Sequence, residues 1–240
     1  MSESSESSLM IEDKCSEDQQ CQHGDRDAPV PDGVFEDSKH KIILSQQMWY
    51  YNNAMLINND TIIKDSDEFI RRKSSDVSLP LSEEDRDVLM QMLQYVDNST
   101  IPEIAEKENL RPAVGISAIQ VGVPKKMTAI IIKDEEGNKE CEYALVNPRI
   151  ISNSVEKACL ASGEGCLSVA EEHEGLVYRS ARVKVKAYDA LKDEDILIKA
   201  DGYLAIVLQH ELDHFKGILF YDHIDRNDPF RKEANSIVID

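Results

Sequence analysis

The chain has 240 residues, 41% of them hydrophobic and 30% charged, with 46 acidic against 27 basic side chains and a net charge of −19. That length suits one domain with an appendage and is ample to bury a core. The acidity excludes phosphate-driven nucleic-acid binding as the default, since that needs a basic face, and no apolar run reaches the roughly 18 residues of a membrane span.

The start, MSESSESSLMIED, has neither the basic region nor the apolar stretch of a secretory signal. Five cysteines are an odd number, so a disulfide framework is not expected and a reducing, cytoplasmic setting is. Residues 1–40 carry eleven acids against Lys14, Arg26 and Lys39, with few large apolar side chains. Such a segment cannot offset its ordering entropy and is expected to form a disordered acidic tail. Lys41 to Asn59 holds the single Trp and is apolar without a clean period, a lead-in to the folded part. The expected organisation is an extension over 1–56 and a folded domain over 57–240.

Ser82 opens a capping-box variant with Asp85, and Val88, Leu89, Met92, Leu93 and Val96 recur at helical spacing, which predicts a helix from Ser82 to Asp97. Pro102 suits the first turn of a short helix ending near Asn109. Met127 to Lys133 is one apolar run, followed by a turn over Asp134 to Asn138. Further strands are expected at Tyr143 to Val146, Ile150 to Val155, Val183 to Tyr188 and Asp195 to Ile198. Gly202 to Phe215 returns to helix, with Gly217 as its stop. The class is α+β.

The late helix contains Gln209-His210-Glu211-Leu212-Asp213-His214. Histidines at i and i+4 share a helix face and can present two imidazole nitrogens to one metal ion. Glu211, beside the first, is placed to handle a proton on a water there. A catalytic metal needs a third protein ligand. The candidates stand open: His223 and several acids downstream, as in a zinc endopeptidase, and Cys166 upstream, in Glu164-Gly165-Cys166-Leu167-Ser168. A third segment, Arg111 to Gly122, is rich in small residues that let a backbone approach a ligand, and Gln120 there can aim an amide N–H at a developing oxyanion.

These three segments, in this order, resemble the signature motifs of peptide deformylase. Glu164 to Ser168 and Gln209 to His214 match the second and third motifs completely. In the first, Gly115, Ala118 and Gln120 keep their positions. Ala113 stands where Gly is usual, Ser117 where Ala is usual, and Ile119 where Pro is often found. Leu79-Pro-Leu-Ser-Glu-Glu and Gly217-Ile-Leu-Phe-Tyr-Asp-His-Ile are similar to the type 2 enzymes of Gram-positive bacteria and their wall-less relatives, and the likeness runs from near Ile57 to near Asp240.

The resemblance implies antiparallel or mixed sheets packed around the C-terminal helix, and removal of the formyl group from N-formyl-methionyl nascent peptides. It implies a divalent metal on Cys166, His210 and His214, Fe(II) by family habit, with zinc, nickel or cobalt able to substitute. Glu211 would carry the proton, and Gln120 with the Leu167 N–H would meet the oxyanion. The substrate backbone would lie along Val114 and Gly115, with its methionine against Ile206 and Val207. A local basic cluster such as Arg71-Arg72-Lys73 offers a transient ribosome contact, whereas stable nucleic-acid binding and membrane association are not expected. The remaining alternative is a non-catalytic metal-binding or ribosome-associated protein that keeps the fold, which would need neither Gln120 nor Glu211 to hold metal.

Overall fold

The structure is a computed structural model and describes residues 57–240, so the expected acidic tail and nearly all of the lead-in lie outside the described residues. In chain order the described elements are α1 (Glu83–Ser99), α2 (Pro102–Glu108), β1 (Gly115–Ser117), β2 (Met127–Lys133), β3 (Lys139–Asn153), β4 (Lys157–Leu160), β5 (Arg179–Ser180), β6 (Arg182–Asp189), β7 (Glu194–Asp201), α3 (Gly202–His214) and β8 (Ile237–Ile239). Five strands form one sheet in the order β1-β2-β3-β6-β7, all neighbours antiparallel. The second sheet, β5-β4-β8, is mixed, because β4 runs antiparallel to β5 and parallel to β8. The expected α+β class and sheet character therefore hold.

β2 is an unbroken apolar run because both of its faces are covered. Met127, Ala129 and Ile131 pack into one core with Leu89, Met92 and Val96 of α1. Ile130 and Ile132 turn to the opposite side, where they meet Ala205 and Leu208 of α3. α3 is thus enclosed from two directions, since its Ile206 packs with Ala158 and Ala181 beside the smaller sheet. A helix so enclosed is apolar for most of its circumference, and its few polar residues are committed to specific partners.

Local chemistry sets the helix ends. The Ser82 hydroxyl accepts the Asp85 N–H at 3.1 Å, the expected cap, which typically contributes about 1 kcal/mol. α1 runs two residues beyond the predicted end, to Ser99, whose hydroxyl donates back to the Val96 carbonyl. Asn109 closes α2 in the left-handed region at φ 55°. α3 ends at His214, one residue short of the prediction, and Gly217 turns the chain at φ 72°. A side chain at Gly217 would strike the Arg71 carbonyl.

One expectation needs correction. Tyr143 to Val146 and Ile150 to Val155 are not two strands but parts of the single strand β3, which ends at Asn153. Asn147, at φ 51°, and Pro148 interrupt the sequence pattern, and the strand absorbs them as irregularities in its pairing with β6. No helix among the described residues is long and apolar enough to cross a membrane.

Candidate active site

α3 carries His210 and His214 on one face, and the loop between β4 and β5 brings in Cys166. The Cys166 Sγ lies 3.4 Å from His214 Nε2. One donor atom from each of Cys166, His210 and His214 falls within 4.8 Å of the others, the single such cluster of three or more His, Cys, Asp or Glu among the described residues. Bonds of about 2.0–2.3 Å in a tetrahedral arrangement would set such donors roughly 3.3–3.7 Å apart, so modest closure seats an ion. The downstream candidate, His223, is directed elsewhere: its Nε2 pairs with Asp213 Oδ2 at 2.8 Å. No downstream acid among the described residues joins the three donors either, so the protease-like alternative loses its third ligand.

The donor chemistry fits a metal. His210 Nδ1 sits 2.8 Å from Glu164 Oε2, which fixes the ring and leaves Nε2 for an ion. Burial disfavours a Cys166 thiolate, yet the charge and hydrogen bond of His214, with those of His210, outweigh it and lower the thiol from 9.0 to about 6. Burial likewise opposes charge on His210, but hydrogen bonds with Cys166 and Glu164 raise it from 6.5 to about 10. Thiol and imidazole therefore hold a proton between them that a cation can replace.

Behind these three donors lies a buried arginine. Arg179, 4% exposed at its side chain, grips Glu164 with Nε at 2.6 Å and Nη2 at 2.9 Å, and reaches Asp213 with Nη1 at 2.9 Å. One guanidinium so joins the residue two before Cys166 to the residue just before His214, and fixes loop against helix. Burial pushes both carboxyls up, but the opposing groups dominate: His210 and Arg179 hold Glu164 down, and His223, Arg179 and Lys216 hold Asp213 down.

Glu211 is buried and points the other way, toward β1. Its Oε2 accepts the Ser117 hydroxyl at 2.6 Å. Its Oε1 lies on the Gly115 side, where a Cβ added to that glycine would come within 2.6 Å. The small residue at 115 therefore makes room for the carboxylate. Gln120 accepts the Ser117 N–H at 2.8 Å through Oε1, which turns Nε2 toward Ser168 Oγ at 3.1 Å and Cys166 Sγ at 3.6 Å. Lys64 donates to the Leu167 carbonyl at 3.0 Å, while no protein acceptor among the described residues takes the Leu167 N–H.

These groups line a cleft of about 320 Å³. Val114, Gly115, Gln120, Cys166, Leu167, Ile206, Val207, His210 and Glu211 all face it, and only His214, 1% exposed, sits behind the wall. All ten residues singled out from the sequence thus meet in one place. The sequence reading missed Arg179, Lys64 and the contact made by Ser117. A signal for the first existed: two acids flank the ligand motifs, and buried acids need a cation. Of the departures from the family pattern, Ile119 is fully buried with Ile70, Val177 and Phe220 beneath the Cys166 loop, so it fills core. Ala113 holds Ser99 Oγ through its N–H at 3.1 Å.

Hydrolysis at a metal centre is the chemistry that such a donor set serves when a carboxylate adjoins it, which places the chain among the metallohydrolases. The polypeptide deformylase family profile matches residues 59–230. Peptide deformylase 2 of Bacillus subtilis is 45% identical over 77% of this chain and its own full length. The peptide deformylase of Staphylococcus epidermidis is 42% identical with the same coverage. Among solved structures, a probable peptide deformylase from Synechococcus phage S-SSM7 aligns with TM-score 0.55 at 32% identity, over 68% of this chain and 98% of that one. A Met-Ala-Ser-bound class I type b enzyme from Acinetobacter baumannii aligns at 0.55 and 27% identity, over 71% of this chain and 100% of that one. The chain belongs to the peptide deformylase family, metal-dependent hydrolases that remove the N-formyl group from nascent peptides.

Proposed function

We propose that Cys166, His210 and His214 hold one divalent ion, Fe(II) in the cell, and that residues 57–240 are the catalytic domain for N-formyl-methionyl chains. One thiolate and two imidazoles suit several first-row metals, so zinc, nickel or cobalt can take the same place. A bound ion would acidify a water and polarise the formyl oxygen.

The reaction adds one water across the formyl C–N bond. Glu211 takes a proton from the attacking water as the C–O bond forms, then gives it to the amine nitrogen as the C–N bond breaks, releasing formate and a free N-terminus. Gln120 Nε2 and the Leu167 N–H donate to the oxygen of the tetrahedral adduct, and one such donor is typically worth about 3 kcal/mol of barrier. Glu211 needs to be ionisable for this relay, and Gln120 does not. The observation that carries the reading is the buried Glu211 carboxylate, which lines the same cleft as Cys166 and His210 of the three-donor cluster. A protein that merely stored metal would need neither it nor Gln120.

Among the described residues β1 is an edge strand with no strand on its outer side, which favours a substrate backbone adding alongside Val114 and Gly115. Ile206 and Val207 offer an apolar wall one turn before His210, suited to a methionine side chain. Because the substrate is a newly made chain, the reading assigns the work to the cytoplasm, in transient contact with ribosomes. Of the basic trio, Arg71 is engaged by Asp222 and Tyr221, and Arg72 stacks on Phe69. Exposed Lys73, in one groove with Lys126, Arg149 and Lys216, is the better candidate for that contact.

The test pairs two variants. Glu211→Gln should keep one metal per chain and lose at least a hundred-fold in turnover, whereas Cys166→Ala should lose the metal. Wild-type turnover by the first, or full metal in the second, contradicts the assignment.

A further inference from the structure

Glu211 has two carboxylate oxygens in different surroundings. Oε1 lies against Gly115 at the cleft, while Oε2 turns inward to two hydroxyls. Of these, Thr128 Oγ1 is 3.5 Å away and directs its proton to the Ile116 carbonyl at 2.9 Å. The Ser117 hydroxyl is closer, 2.6 Å from Oε2, with the Glu211 backbone carbonyl as its second choice at 3.0 Å. A charged acceptor at the shorter distance takes the proton. Ser117 is fully buried, so water does not compete for that bond, and no other close donor to the Glu211 side chain exists among the described residues.

The backbone of the same residue does a second task. Its N–H fixes Gln120 Oε1 and so aims Nε2 toward Cys166. Ser117 thus stands between the proton carrier and the oxyanion donor. Only the first of its two contacts depends on the side chain, and only the side chain departs from the residue usual in the motif.

We propose that Ser117 is a positioning residue for the deformylation step: its hydroxyl ties down Glu211 Oε2 so that Oε1 is the oxygen that exchanges protons with water and the leaving amine. This rests on the assignment of Glu211 as proton carrier. The tie leaves the carboxylate one free oxygen with one orientation. Without it, Glu211 can rotate, and a smaller share of bound complexes is aligned for transfer. Substrate binding, made along β1 and the α3 wall, does not pass through this bond, so the loss falls on kcat.

The experiment uses full-length, metal-loaded enzyme with formyl-Met-Ala-Ser, comparing wild type, Ser117→Ala and Glu211→Gln. Removing one oxygen from Ser117 leaves the backbone contact to Gln120 intact and adds no volume. Ser117→Ala should lower kcat about ten-fold, with KM within two-fold, one metal per chain and an unchanged visible spectrum of the Co(II)-loaded form. In a Glu211→Ala background, the change in unfolding midpoint caused by Ser117→Ala should fall to less than half its wild-type size, since its partner is gone. A kcat within two-fold of wild type, beside an inactive Glu211→Gln, overturns the role of Ser117 and leaves that of Glu211 standing. A kcat loss matched by KM, metal or spectrum marks a merely structural residue and also overturns it. An active Glu211→Gln removes the assignment on which the proposal rests.

Discussion

Replacing Gly115 with alanine isolates the space that Glu211, the proposed proton carrier, occupies. Gly115 does not lie in the left-handed region, so alanine meets no backbone strain there. Its Cβ would fall 2.6 Å from Glu211 Oε1, 3.0 Å from Cδ and 3.1 Å from Cγ. Ordinary contact begins at 3.4 Å, so the carboxylate must move by roughly 0.8 Å. It cannot retreat inward, because Ser117 Oγ already holds Oε2 at 2.6 Å and Thr128 stands behind it at 3.5 Å. A displacement approaching 1 Å at a reacting group costs up to about 100-fold, so kcat should fall between about ten- and a hundred-fold, or roughly 1.4–2.7 kcal/mol of barrier.

Crowding of this kind destabilises by about 1–3 kcal/mol, partly offset by about 0.4–1 kcal/mol from the stiffer unfolded chain. The melting temperature should drop by no more than about 10 °C, leaving the enzyme folded at assay temperature. Steady-state formate release, metal content and thermal unfolding on one preparation measure all three quantities. A metal-loaded Gly115→Ala enzyme with kcat within three-fold of wild type refutes the packing argument.

Arg179→Met should leave Glu164 and Asp213 buried without their shared cation, a loss of about 3–5 kcal/mol that thermal unfolding would show as a fall of roughly 6–20 °C. The same pair sets an acid limit. Both carboxyls lie below their ordinary values of 4.5 and 3.8 in the folded protein, so their stabilisation is fully present above about pH 4.5 and is lost as pH falls through the lowered folded values. Wild type should therefore lose stability on acidification below about pH 4.5 more steeply than Arg179→Met, and equal slopes in denaturant titrations would contradict this. Gly217→Ala should destabilise by several kcal/mol without altering metal affinity, since φ is 72° and the new methyl meets the Arg71 backbone instead of the site. Unchanged unfolding of that variant would count against the turn as described.

What could be read from the sequence follows from the range of the forces involved. The Ser82 cap, the α1 stripe and the β2 run depend on neighbours within a few residues, and each appears where the pattern puts it. β4, β5 and β8 span two to four residues and are held by partners far along the chain, as with Ala158 against Ile237, so no local period announces them. β3 was divided by Asn147-Pro148, turn residues that tertiary pairing carries through as a bulge. The three-donor cluster was legible because helix geometry alone pairs His210 with His214, while Cys166 entered through a recognisable motif. Arg179 escaped because a lone arginine before a serine looks like any strand residue until the buried acids it neutralises are in place. Ser117 was visible only as a departure from pattern, and its meaning needed the fold that set it beside Glu211.

The most direct measurement is formate release from formyl-Met-Ala-Ser by protein purified anaerobically with Fe(II), and in parallel with Ni(II). The account predicts turnover that scales with bound metal, vanishes on chelation and returns when the ion is restored. Protein carrying one metal per chain that releases no formate would contradict it, and would direct attention to the altered segment from Ala113 to Ser117.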